Sequence, residues 1–192
     1  KNMNSEERLR YEQTINQMMV KIEEEKVNTN LETASRAQRF FDEAMEADPD
    51  HKYLATKKVK AFGIKQHENF LLIPLRDIEG KLWSFQKIYP EGGKKFLTGG
   101  KVKGLFHRIG DPTDVIYIGE GYATMASVHA ATGKACVVAF NAGNLKEVCS
   151  LVRSNYPDNE IVVCADDDHL TKGNPGLTKA REAALHIGAG LA

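Results

Sequence analysis

The sequence predicts an α/β protein whose later half is a short parallel sheet of alternating strands and helices, preceded by a small α+β unit and N-terminal helices. Three observations carry this. Val115-Ile-Tyr-Ile-Gly119 is a β-branched, apolar run that stops at Glu120. Ile161-Val-Val-Cys-Ala165 is a second such run, stopping at Asp166-Asp167-Asp168. Helix-start signals follow both, and apolar runs alternating with helical stretches are the pattern of strands buried on both faces of a parallel sheet.

In chain order, residues 1–50 read as a charged helical region. Ile15, Met18, Met19 and Ile22 fall at i, i+3, i+4, i+7, an amphipathic stripe. A second helix is expected over 31–47, capped by Asn30 and closed by Asp48-Pro49-Asp50, because the residue before proline disfavours the α region. The pair is expected to pack on the rest of the chain, with a partner-binding or DNA-contacting helix pair as the alternative. Residues 51–110 read as a small unit rich in short strands, over 70–75, 82–89 and 95–97, with turns at 78–81 and 90–95. Residues 111–192 alternate: strands over 115–119, 135–140 and 160–165, helices over 122–132, 144–154 and 175–187. Gly133 and Gly188 suit helix C-terminal positions, and Asn174-Pro175 suits a cap followed by proline in the first turn. Repeats of this kind imply right-handed crossovers. The chain starts at Lys1 without methionine and stops at Ala192, where another strand is due, so a piece of a larger protein, cut short at its C-terminus, is expected.

In open α/β sheets ligands bind beyond the carboxyl ends of the strands, which is where this reading puts Glu120, Asp166 and Asp168. Asp166 and Asp168 are two apart, so in an extended segment both point one way and Asp167 points the other. Three carboxylates in one cleft repel, and a hard cation relieves them. Mg²⁺ suits the arrangement, since it takes one or two carboxylates and leaves its other positions to water and phosphate. His169, beside the acidic triplet, is read as a loop residue because imidazole is a poor match for Mg²⁺. The amides of Asn141-Ala-Gly-Asn144 suit either an anion or a plain strand-to-helix turn.

Glu120-Gly-Tyr-Ala-Thr-Met, Val138-Ala-Phe-Asn-Ala-Gly-Asn-Leu145, Ala165-Asp-Asp-Asp168 and Asn174-Pro-Gly-Leu-Thr-Lys, in this order, resemble the Toprim domain as it occurs in primases of plasmids and bacteriophages. Leu72-Ile-Pro-Leu-Arg-Asp77 and Gly93-Lys-Lys-Phe-Leu-Thr-Gly-Gly100 extend the resemblance upstream, so that it covers roughly residues 50–188. It implies a primase catalytic core making RNA primers on single-stranded DNA from nucleoside triphosphates. Glu120, Asp166 and Asp168 would be both catalytic and metal-holding, with Mg²⁺ or Mn²⁺ as cofactor. Nucleotide and template would be held by Arg76, Lys87, Lys94, Lys95, Lys101 and Lys103. Lys95 stands in a segment similar to the Pro-Lys-Tyr-Leu motif of bacterial primases. A replicative helicase, separate or fused, is the implied protein partner. The same carboxylates also suit a Toprim nuclease, and a non-catalytic module binding DNA or a helicase is the non-enzyme alternative. No zinc ribbon and no helicase ATPase motif is present in the sequence.

Composition is neutral on these points. The 26 basic and 26 acidic residues balance, so any positive surface is local. Lys172 and Lys179 flank the acidic motif as ordinary surface lysines, and Trp83, the single tryptophan, is expected to pack in the middle unit. Cys136, Cys149 and Cys164 lack metal-site spacing and read as reduced thiols, with Cys136 and Cys164 buried in strands. With no apolar run of membrane-span length and no signal-peptide pattern, a cytoplasmic location is expected.

Overall fold

A computed structural model describes residues 4–168 and 170–192, so His169 lies outside the described residues. The first element is one helix, α1 (Ser5–Glu43), where two were expected. Asn4 closes a capping box with Glu7, and no break follows: Asn30, the expected cap, sits inside the helix. Thr29 explains the continuity, since its hydroxyl bonds to the carbonyl of Glu25 (2.8 Å) within the turn instead of capping a new helix. The helix stops one residue before Ala44, which is extended.

Two five-stranded sheets follow. The first is antiparallel throughout, in the order β1 (Met45–Glu46), β2 (Lys65–His67), β3 (Phe70–Arg76), β4 (Leu82–Ile88), β5 (Lys94–Phe96). A short helix, α2 (Lys52–Lys57), lies between β1 and β2. The second sheet runs β10 (Gly190–Leu191), β9 (Glu160–Val163), β7 (Val115–Gly119), β8 (Ala135–Val138), β6 (His107–Ile109). Its first four strands are parallel and β6 is an antiparallel edge, so residues 107–109 join this sheet and not the preceding strands. The helices are α3 (Tyr122–Thr132), α4 (Ala142–Asn155) and α5 (Pro175–Ile187). Gly133 and Gly188 end α3 and α5 in the left-handed conformation, as the sequence predicts.

The strand alternation of β3 explains the layering. Phe70 and Leu72 face α1, where they pack with Ala37, Phe41 and Phe85. Leu71, Ile73 and Leu75 face the second sheet, in one cluster with Tyr122, Met125, Cys136 and Val138. A third cluster joins the far face of the second sheet to α4 and α5 through Leu145, Val148, Val152, Ala180 and Ala183. Pro74 is tolerated in β3 because β2 has already ended on that side: its last partner there is Leu72. Two polar ties fix the halves. The Tyr122 hydroxyl donates to the Lys60 carbonyl (2.9 Å) and accepts from the Phe62 amide (2.7 Å). Asn144, buried, accepts from the Gly104 amide (2.8 Å) and donates to the carbonyls of Leu105 and Ala139 (2.9 Å each). All three cysteines are free thiols, and burial pushes those of Cys136 and Cys149 up to about 12. Among the described residues no helix is long and apolar enough to cross a membrane.

Candidate active site

Glu120 is the residue immediately after β7, the central strand of the second sheet. Its neighbours on both sides are locked by backbone bonds that extend the ladders: Ala139 donates to Gly119 (2.8 Å), Phe140 to Glu120 (2.9 Å), and Cys164 to Ile118 (2.7 Å). At Gly119 a Cβ would stand 2.6 Å from Met125 Cε, so a side chain there would have to displace that methionine's tip. Phe140 closes the next strand at φ 72°, the left-handed region that a bulky residue seldom occupies, and strain of this sort gathers at functional sites. That kink leads to Asn141, whose side chain caps α4, and sets the Ala142 amide close enough to the Glu120 carboxylate to favour its charged form.

The Glu120 carboxyl is pushed up to about 6. Burial is the largest cause, followed by the charges of Asp166 and Asp168; the Ala142 amide and the Lys94 cation oppose it. Its second oxygen, Oε1, is buried without a hydrogen-bond partner. Asp166, half-buried, is also raised, by burial first and then by Asp168, with Lys94 again opposing. Asp168 is exposed and turns toward α5, where its Oδ2 accepts from the Gly176 amide (3.2 Å). The three carboxylates therefore share one electrostatic neighbourhood but not one tight cage. Among the described residues, no three His, Cys, Asp or Glu side chains lie close enough to hold one ion. The α5 terminus competes for Asp168 through the Gly176 amide. The donors that remain suit a hard cation, because a buried carboxylate oxygen without a partner, next to a second half-buried carboxylate, is what a divalent ion satisfies.

Two residues of the Asn174-Pro-Gly segment, for which no site role is expected from the sequence, build the acidic loop. Asn174, at φ 42°, accepts from the Asp168 amide (2.9 Å) and donates to Asp167 Oδ1 (2.8 Å). Gly176 lets α5 approach: a Cβ there would lie 2.5 Å from the Asp166 carbonyl oxygen and 2.9 Å from Asp168 Oδ2. A Pro-Gly pair opening a helix was the available signal.

The six predicted basic residues separate. Lys94 faces the second sheet with Ile88, its cross-strand partner, and its charge reaches both Glu120 and Asp166. Lys95 and Lys87 pair on the opposite face, where the Lys87 ammonium lies over the rings of Phe70 (4.4 Å) and Phe40 (5.5 Å). Arg76 is at the far end of β3, over Phe41 (5.6 Å) and donating to the Gly80 carbonyl (2.9 Å). Lys101 lies over Trp83 (4.9 Å), which bonds to Asp77 (2.6 Å), and Lys103 faces Glu147 (3.8 Å). Only Lys94 of the six acts on the acidic edge. A single cleft lined by all six does not form, because β5 alternates and β3 runs away from the site.

Residues 115–191 match the Toprim domain family. They are a Toprim domain. The acidic edge, with Glu120 after β7 and Asp166 after β9, lies within the matched residues. Two proteins of Escherichia coli, both named DNA primase TraC, are 42% identical over 125 residues and 35% identical over 168 residues, covering 60% and 81% of this chain. The chain spans 12% of the length of each. Among solved structures, the primase fragment of the bacteriophage T7 primase-helicase covers 79% of this chain and 66% of its own (TM-score 0.53, 18% identity). The DnaG primase catalytic domain bound to single-stranded DNA covers 85% and 69% (TM-score 0.53, 10% identity). These likenesses show that the fold of the primase catalytic core extends upstream of the Toprim domain into the first sheet.

Proposed function

We propose that this chain is the catalytic core of a DNA primase, a metal-dependent nucleotidyltransferase that makes RNA primers on single-stranded DNA. One observation carries the reading: a half-buried glutamate with an unpartnered oxygen, raised by burial and by two aspartates and opposed by Lys94, at the carboxyl edge of a Toprim sheet. The identity to proteins named DNA primase supports the choice among Toprim chemistries.

Glu120 and Asp166 would hold a divalent ion, Mg²⁺ or Mn²⁺, with Asp168 completing the set when released from Gly176. The ion, when bound, neutralises charge on the phosphates and aligns attacking and leaving oxygens. The chain's own residues do the rest. The Ala142 amide and the ladder bonds hold the Glu120 carboxylate in place, leaving Oε1 to take a cation or a proton. A carboxyl near pH 6 is well suited to exchange a proton at neutral pH. Lys94 supplies positive charge at the edge where a triphosphate would lie, whereas Arg76, Lys87, Lys95, Lys101 and Lys103 are candidates for contacts with a template running outside the cleft. A helicase partner and a cytoplasmic setting belong to the same reading.

The test is incubation with single-stranded DNA, labelled nucleoside triphosphates and Mg²⁺ or Mn²⁺. New oligonucleotides that vanish in Glu120→Gln are expected. A shortened template would make this a Toprim nuclease, and a mobility shift with neither product would make it a binding module.

A further inference from the structure

The free half of α1 carries a stripe that the rest of the chain does not use. Tyr11, Ile15, Met18 and Ile22 are 60%, 37%, 55% and 63% exposed, whereas Ala34, Ala37 and Phe41 of the same helix are buried against the first sheet. At 3.6 residues per turn the two lines lie roughly a quarter turn apart, so the exposed stripe does not continue the buried one. The spacing 11, 15, 18, 22 is 4, 3, 4, which is the a/d seam of a coiled coil. Continued by one step each way, the seam reaches Arg8 and Glu25. Neither makes an ion pair among the described residues.

We propose that this arm pairs with the same arm of a second copy of this chain, antiparallel and centred between Asn16 and Gln17. In that register position i of one copy meets position 33 − i of the other. The layers then read Arg8 with Glu25, Tyr11 with Ile22 and Ile15 with Met18, each occurring twice by symmetry. Every apolar seam residue meets an apolar one, and each end is closed by opposite charges. A parallel pair in register sets Arg8 against Arg8 and Glu25 against Glu25, two repelling layers. Charge complementarity therefore selects both the partner and its direction. The rest of the chain does not obstruct it. Glu23, Lys26, Val27 and Asn30, which face the body of the chain across a cavity also lined by Trp83, Lys101 and Glu147, lie about a quarter turn from the seam. The two globular parts sit at opposite ends, with the Asn30 positions about 40 Å apart at 1.5 Å per residue.

Sedimentation equilibrium on the 192-residue chain tests this. The wild type is expected to move from monomer to dimer with rising concentration. Arg8→Glu and Glu25→Arg should each raise the dissociation constant by about tenfold, since each turns two attractive layers into repelling ones. An equimolar mixture of the two variants should regain wild-type association, and so should the double variant. Met18→Glu should abolish association without loss of helix, because the side chain is exposed in the monomer. A wild type that stays monomeric overturns the proposal. So does a dimer that ignores the single reversals, or one that fails to return on mixing. None of these readouts depends on catalytic activity.

Discussion

The two sheets share one core but differ in what they leave unsatisfied. Among the described residues the antiparallel sheet has two orphaned buried atoms, Ser84 Oγ and His67 Nδ1, neither of them on a carboxylate. Its charged side chains are given structural work, as with Lys87 over Phe70 and Lys81 over Trp83 (4.0 Å). The parallel sheet collects its costs at one edge. There stand an orphaned carboxylate oxygen, two raised carboxyls, Phe140 and Asn174 at positive φ, and Gly176, where a Cβ would meet backbone. Discomfort spread singly through a fold is the ordinary residue of packing. Concentrated where parallel strands end, it marks a place held in readiness for something else.

The contrast is tested most severely at the glycines. Gly176→Ala forces α5 away from the acidic loop and is expected to cost about 2–4 kcal/mol in thermal or urea unfolding. Gly92→Ala, at φ 90° with nothing within 4 Å of a Cβ, should cost only about 1–2 kcal/mol of backbone strain. Equal costs would mean that the contact at Gly176 is relieved without strain. Next in size is the metal. At roughly ten times its dissociation constant, Mn²⁺ should stabilise the protein by about 1.4 kcal/mol. Asp166→Asn should lose most of that gain, and Glu79→Gln on the first sheet's turn should lose none.

What could be read from the sequence follows the same division. The strand ending at Glu120, its helix over 122–132 and the helix over 175–187 match their observed bounds, because each is framed by glycine, proline or an abrupt charge. Short pairings were missed: β1, β2 and β6 have two or three residues each and exist only because a neighbour supplies the ladder. The break expected at Asn30 failed since a cap residue is a local signal, and here the helix around it is already nucleated on both sides. At the site, which acidic residues gather was legible, but not how they are shared out. Asp168's bond to Gly176 and Asn174's bridge depend on where α5 lands, a tertiary fact.

Lysines 94 and 95 are adjacent in sequence and opposite in space, so they offer an internal control. Lys94→Ala removes a cation that opposes the raising of Glu120 and Asp166. Nucleotide incorporation is expected to fall by about tenfold, the scale of one lost charge–charge contact in a partly desolvated cleft. Lys95→Ala, on the α1 face, should stay within about twofold at physiological salt. A larger effect at Lys95 would put the nucleotide on the opposite side of the first sheet.

The smallest effect is in pH. The folded-state pKa of Glu120 is raised, so the folded chain holds that proton more tightly than the unfolded one. Below the ordinary glutamate range both states are protonated and the site costs nothing. As pH rises toward about 6 the unfolded state ionises freely while the folded state resists, and stability falls. Above about 6 the penalty is complete and constant. Glu120→Gln has no such term, so its melting temperature should equal that of the wild type near pH 4 and exceed it at pH 7. Glu120 is only half-buried, and solvent screening limits the gap to about 1 kcal/mol at most, or about 2–4 °C for a chain of this size. The gap should close when Mn²⁺ is added, because the ion stabilises the ionised wild type and not the amide. A gap that is the same at pH 4 and pH 7 would trace the gain to packing and remove Glu120 from the repelling cluster.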